Sequence, residues 1–187
     1  MALNFLHHPA FGPYKSAYED VVRHCKDPYK SGDAMTIAHE STHQIHSELR
    51  NKSPGNGVNA FYVMQDRCIF FREPKVTIRD AADRIKREHR GPVFDTYMVN
   101  SRQWWNRQPL YVVDEAVAYT NGAIVGKEQG VEGWEFEANR GKELTQYAWA
   151  VIMAVDAKDP TYDELDKLVE FVNWNATRNP LFGIKLL

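Results

Sequence analysis

Residues 39–50 read HESTHQIHSELR, with three histidines, two glutamates and an arginine in twelve positions. His39, Glu40 and His43 fit the pattern His-Glu-x-x-His, whose chemistry depends on helical spacing. On a helix, positions i and i+4 share a face about 6 Å apart along the axis. Two imidazoles placed so can converge on one ion at Zn–N distances of about 2.0–2.1 Å. Glu40 is turned about 100° from His39, so it flanks the ion instead of binding it. There it can take a proton from a zinc-bound water, whose pKa falls from near 16 toward about 7. The stretch therefore predicts Zn²⁺ as Lewis acid and Glu40 as general base. In a chain of 187 residues with 7 histidines, shuffling produces the pattern roughly two times in a hundred, so the motif needs support from its surroundings. Ala34, Ala38, Thr42, Ile45 and Leu49 recur at helical spacing as a buried stripe. His39, His43, His46 and Arg50 form a second stripe one residue round from it. A helix that backs onto a core while turning histidines to a cleft suits a metal site.

A catalytic zinc usually takes three protein ligands and a water. His46 fits poorly as the third, since a straight helix sets it about 4.5 Å beyond His43 and about 10.5 Å beyond His39. The glycine that bends the chain in HExxHxxGxxH is also missing here. His46 is expected instead to line the cleft or to steady a ligand, with a plain exposed histidine as the alternative. The stronger candidate lies in QPLYVVDEAVAYTNGA, residues 108–123, where the acidic pair Asp114-Glu115 interrupts an apolar helix. Carboxylates there are costly to bury unless paired or metal-bound. Glu115 shares a face with Tyr111, Tyr119 and Gly122 and is the expected ligand. Asp114 is kept as an alternative ligand or as a partner steadying one, and a salt bridge from this pair to Arg102 or Arg107 is the bland reading.

HESTH followed by a later helix containing DEAVAY resembles the gluzincin branch of zinc metallopeptidases, the thermolysin-like group. That resemblance implies His39, His43 and Glu115 as zinc ligands, Glu40 as the base and a peptide or protein as substrate. It also implies a zincin-like domain with a strand along the cleft that pairs with extended substrate. The acidic residue often found four positions after the glutamate ligand is here Tyr119. His39 then needs another orienting partner, for which the Tyr119 hydroxyl is a candidate. Peptide hydrolysis also needs a donor to the developing oxyanion, drawn from Tyr111, Tyr119, Tyr97 and His46, with Tyr111 preferred. The competing functions are an amidase of the deformylase kind, whose thiolate context Cys25 lacks, and a metal-binding or interaction protein without activity.

The elements that must hold these residues are mostly helical. A short helix is expected near 16–25, then one from Ser31-Gly-Asp33 to about Asn51, ended by NKSPGNG at 51–57. Two β-rich runs, 61–64 and 68–71, flank Gln-Asp-Arg as a hairpin. Helical patterns follow at about 77–90, 93–104, 110–125, 133–157 and 161–177, the last opening on the capping box Thr161–Glu164. The first thirty residues, with Pro9, Pro13 and Pro28, are expected to wrap the surface. The fold class is α+β, mostly helical, as one domain over 1–187 with a small hairpin or sheet beside the histidine helix.

Composition excludes several classes. Net charge is −2 with no basic block, so nothing calls for a nucleic acid or a membrane surface. The longest apolar run, 148–155, is far short of a membrane span. No cationic start followed by an apolar stretch marks a leader, so a cytoplasmic chain is expected, or a secreted one if a leader has been removed. Cys25 and Cys68 make no zinc pattern; two buried free thiols are favoured over one bridge, and Cys25 could cap the zinc in a latent form. The clusters around Trp104-Trp105, Trp134, Trp149 and Trp174 are read as packing, and His7, His8 and His24 as surface or core groups.

Overall fold

Two side-chain caps start the first helices. Ser16 Oγ accepts from the Glu19 N–H at 3.0 Å and opens α1 (Ala17–His24). Asp33 Oδ1 accepts from the Thr36 N–H at 2.8 Å and opens α2 (Ala34–Lys52), the histidine helix. Both are the expected N-cap bonds. The computed structural model describes residues 3–8, 13–53 and 57–183; Pro9 and the middle of the 51–57 breaker lie outside them. Along α2, Ala38, Thr42, Ile45 and Leu49 are buried as the periodicity predicts.

The hairpin forms, shifted from its expected place. Strand β2 (Val58–Tyr62) pairs antiparallel with β3 (Arg67–Arg72), with Phe61 opposite Ile69 and Tyr62 opposite Cys68. Met64, Gln65 and Asp66 make the turn, all three in the left-handed region at φ 65°, 56° and 56°. A third strand, β1 (Leu6–His7), pairs with β3 to give the order β1-β3-β2. Two residues are too few to show a strand period in sequence. The expected edge pairing with substrate is not open at the centre of this sheet. Strand β3 is flanked on both sides, and Ala60 to Val63 have no exposed surface. The Tyr62 carbonyl already accepts from Asn121 Nδ2 at 3.1 Å.

Two expected helices are broken. The 77–90 pattern yields only α3 (Ile78–Ala82), opened by a Thr77–Asp80 capping box, then one tight turn at Arg87–His89. Gly91-Pro92 disfavours continuation, and α6 side chains hold the chain there: Gly91 N–H donates to Tyr147 Oη and Val93 N–H to Glu143 Oε1. The 93–104 pattern becomes a wide π-helical turn, Asp95–Asn100, and a single α turn, α4 (Arg102–Trp105). Helices α5 (Tyr111–Gln129), α6 (Trp134–Lys158) and α7 (Leu165–Arg178) follow. The Thr161–Glu164 box does not form: Thr161 Oγ1 donates to Asp159, and α7 begins after Glu164.

Helix α5 is the axis of the domain, buried from Val112 to Ala123. It lies against α2 on one side and α6 on the other. Gly122 sets this closeness, because a Cβ there would stand 2.9 Å from Glu137 Oε1 and 3.3 Å from His39 Cβ. The observed class is α+β, mostly helical, with a three-stranded antiparallel sheet. Among the described residues no helix is long and apolar enough to cross a membrane. Cys25 and Cys68 are both free and buried.

Candidate metal centre

Three ligand atoms meet where α2 crosses α5. His39 Nε2 and His43 Nε2 are 3.2 Å apart, and Glu115 Oε2 lies 3.5 Å from His43 Nε2 and 3.9 Å from His39 Nε2. A triangle with these sides has a circumscribed radius of about 2.1 Å, the length of a Zn–N or Zn–O bond. It is one of three groups among the described residues that could hold an ion, the others being His43, His46 and Asp114, and Asp20, His24 and Asp66; it is the one the sequence predicts.

The protonation pattern argues for a cation. His39 Nδ1 stands 2.7 Å from Glu137 Oε1 on α6, and His43 Nδ1 stands 2.5 Å from Asp114 Oδ1 on α5. A carboxylate fixes the proton on the nitrogen that faces it, so the neutral form of each ring carries its lone pair on Nε2. Two lone pairs and a carboxylate oxygen then point at one spot. Glu115 Oε2 is buried and without a hydrogen-bond partner, which is costly unless a cation or a proton fills the gap. Burial opposes charge on His43, but Asp114 and Glu115 outweigh it and hold the imidazole pKa well above its usual value, so a proton on Nε2 competes with a cation for this spot. The residues present fit a metal ion.

Asp114 stands against the far nitrogen of His43, and with His43 and His46 it forms a second group able to hold an ion. It is buried, and it accepts from Arg50 Nη1 at 2.9 Å in place of the Arg102 or Arg107 bridge. Burial raises its pKa, but the charges of His46 and His43 prevail and keep the carboxyl well below the usual range. His46, expected to line the cleft or to steady a ligand, with plain exposure as the alternative, is fully buried. Its Nδ1 lies 3.1 Å from Asp114 Oδ2, off the hydrogen-bonding direction, and its ring edge meets Phe61. It belongs to the support of Asp114, and burial removes it as an oxyanion donor.

Glu137 was not anticipated, and it displaces Tyr119 as the partner of His39. One signal was present in the sequence: Glu137 is an acid on the face of α6 that carries Gly141, Leu144 and Ala148, all buried. Tyr119 instead sets its ring edge-on to His39, with centroids 4.4 Å apart, and its hydroxyl lies 2.8 Å from that of Tyr97. Tyr111 sits beside Glu115 at the cleft, where burial and then that carboxylate push its phenol pKa up. The cleft is a cavity of about 180 Å³ lined by His43, Arg50, Trp105, Tyr111, Asp114 and Glu115. Trp105, expected to be packing, stacks on Tyr111 at 4.9 Å and keeps about a third of its surface exposed. Glu40 is partly buried on the same helix and makes no hydrogen bond or ion pair with the described residues.

The chain matches no protein-family model, no curated protein and no solved structure.

Proposed function

We propose that the chain is a zinc-dependent metallopeptidase of the gluzincin kind, acting on peptide or protein substrates. The observation that supports this best is the convergence of His39 Nε2, His43 Nε2 and Glu115 Oε2 within 3.9 Å of one another. Two imidazoles and one carboxylate suit zinc with an open fourth position, whereas calcium and magnesium prefer all-oxygen sites. When bound, zinc supplies a Lewis acid and lowers the pKa of a coordinated water to about 7.

The chain's own residues do the rest. Glu40, unengaged by neighbours, takes the proton and later passes it to the leaving amine. Asp114 and Glu137 keep both ligand rings in the binding tautomer. Tyr111, whose raised pKa keeps its hydroxyl protonated at neutral pH, is the donor to the oxyanion. The Trp105–Tyr111 stack forms the apolar wall of the cleft and receives a substrate side chain beside the scissile bond.

Zinc stoichiometry and cleavage of a mixed peptide library test the reading together. Glu40→Gln should keep zinc and lose about 10²–10⁴-fold in turnover; His43→Ala should lose both. Undiminished cleavage by Glu40→Gln refutes the assigned base. A protein that binds zinc and cleaves nothing is a metal-binding protein, and the peptidase reading falls.

A further inference from the structure

A second cavity is larger than the metal cleft. It encloses about 620 Å³ where the start of α1, the hairpin turn, α5 and the end of α7 meet. Ile124 on its wall stands nine residues beyond Glu115, about 13.5 Å along the α5 axis, so the two sites are separate.

Three cationic side chains line this cavity: Lys15, Arg67 and Arg178. None pairs with a carboxylate among the described residues. Arg178 donates only to two neutral amides, Asn175 Oδ1 at 3.0 Å and Asn121 Oδ1 at 2.6 Å. Arg67 donates to Gln65 Oε1 at 2.7 Å, and its Nε is buried with no acceptor. The two guanidinium groups gather at one indole, 5.4 Å and 5.1 Å from the centroid of Trp174. Like charges brought together in this way call for a counter-ion. Burial first, then the charge of Arg67, draws the pKa of Arg178 down to about 9.

The two acids on the wall accept hydrogen bonds from other groups, and the charge of Asp20 only partly offsets the effect of burial and Arg67 on Arg178. Asp20 accepts from the Tyr62 hydroxyl at 2.5 Å and the Gln65 N–H at 2.7 Å, and it faces His24 at 3.1 Å. Glu128 accepts from the Ala17 N–H at 2.8 Å. The rim is also strained. Met64 and Gln65 line the cavity from a turn of three consecutive left-handed residues, none of them glycine. Strain of this kind gathers at ligand clamps, where the surrounding structure holds it.

We propose that this cavity binds a small oxyanion, a carboxylate or a phosphate, on the guanidinium groups of Arg67 and Arg178. A planar guanidinium presents paired N–H donors that match either group, and a buried pair of that kind is charge-assisted. Lys15, exposed on the lining, adds a third charge.

Isothermal titration of the full chain with inorganic phosphate and, separately, with succinate tests this, with sodium chloride at equal ionic strength as control. Saturable one-site binding of either anion is expected, weakened at least tenfold in Arg67→Gln and in Arg178→Gln. Preference for phosphate identifies a phosphate-bearing ligand, and preference for succinate a carboxylate. Arg178→Gln also loses its bonds to Asn121 and Asn175. Arg67→Gln, which gives up one hydrogen bond, to Gln65, and the contacts with Phe5 and Trp174, keeps the test decisive if the first variant does not fold. A response to both anions no larger than that to chloride, or equal binding in a folded Arg67→Gln, overturns the proposal.

Discussion

Removing the Glu137 carboxylate isolates the support of one metal ligand from everything else. Its Oε1 lies 2.7 Å from His39 Nδ1, and it makes no other hydrogen bond with the described residues. Loss of such a partner typically weakens metal binding by about 10–100-fold, or about 1.4–2.7 kcal/mol. The edge-on contact of Tyr119 still limits rotation of the His39 ring, and His43 keeps Asp114. The expected loss for Glu137→Ala is therefore about thirtyfold, in the middle of that range. Glu137→Gln retains an acceptor oxygen without the charge and should lose about tenfold or less. Competition against a chromophoric chelator at pH 7.5 reads both values, and circular dichroism of the metal-free proteins reports whether the fold is intact. A folded Glu137→Ala with wild-type zinc affinity refutes the argument that this carboxylate orients the ligand.

Three other outcomes follow from the geometry. Gly122→Ala would bring a methyl 2.9 Å from Glu137 Oε1 and 3.2 Å from the Met35 carbonyl. It should cost about 1–3 kcal/mol in urea unfolding and also weaken zinc binding; an unchanged midpoint would show that α2 and α5 separate easily. Burial raises the Glu73 carboxyl from 4.5 to about 7, against the bonds it accepts from Leu110 and Asn59. The folded chain then holds a proton that the unfolded chain has released, so stability falls as pH rises from 4.5 to 7 and levels off above. Glu73→Gln escapes this, and its advantage should grow from near zero at pH 4 to about 1–3 kcal/mol at pH 8; an advantage independent of pH contradicts the sign. Burial raises the thiol pKa of Cys25 and brings that of Cys68 to about 11. A thiol reagent should therefore label both at the rate of unfolding, whereas fast labelling of the native chain would place one at the surface.

The histidine helix was legible because its information is local. A cap at Asp33, a stripe of apolar positions and two histidines four residues apart all follow from helical periodicity. The same holds for α5, where an acidic pair stands out against apolar neighbours. Periodicity misled at 77–90 and 93–104: beyond Ala82 the backbone closes shorter turns, with Arg84 N–H on Ala81 and Ile85 N–H on Ala82, and Ser101 N–H reaches back to Thr96 in the wider π turn. It misled again at Thr161, whose hydroxyl finds Asp159 at shorter range.

Residue types and helical spacing thus determined which atoms could meet a metal: His39, His43 and one carboxylate of the pair at 114 and 115. The face shared with Tyr111 and Tyr119 favoured Glu115, and tertiary packing set where each carboxylate stands. Adjacent helical residues point about 100° apart, and the crossing of α5 over α2 turns Glu115 to the imidazole Nε2 atoms and Asp114 to the far nitrogen of His43. Glu137, 98 residues from His39, arrives only because Gly122 lets three helices close on one point. No local pattern encodes a contact of that range; it exists only once the core has formed.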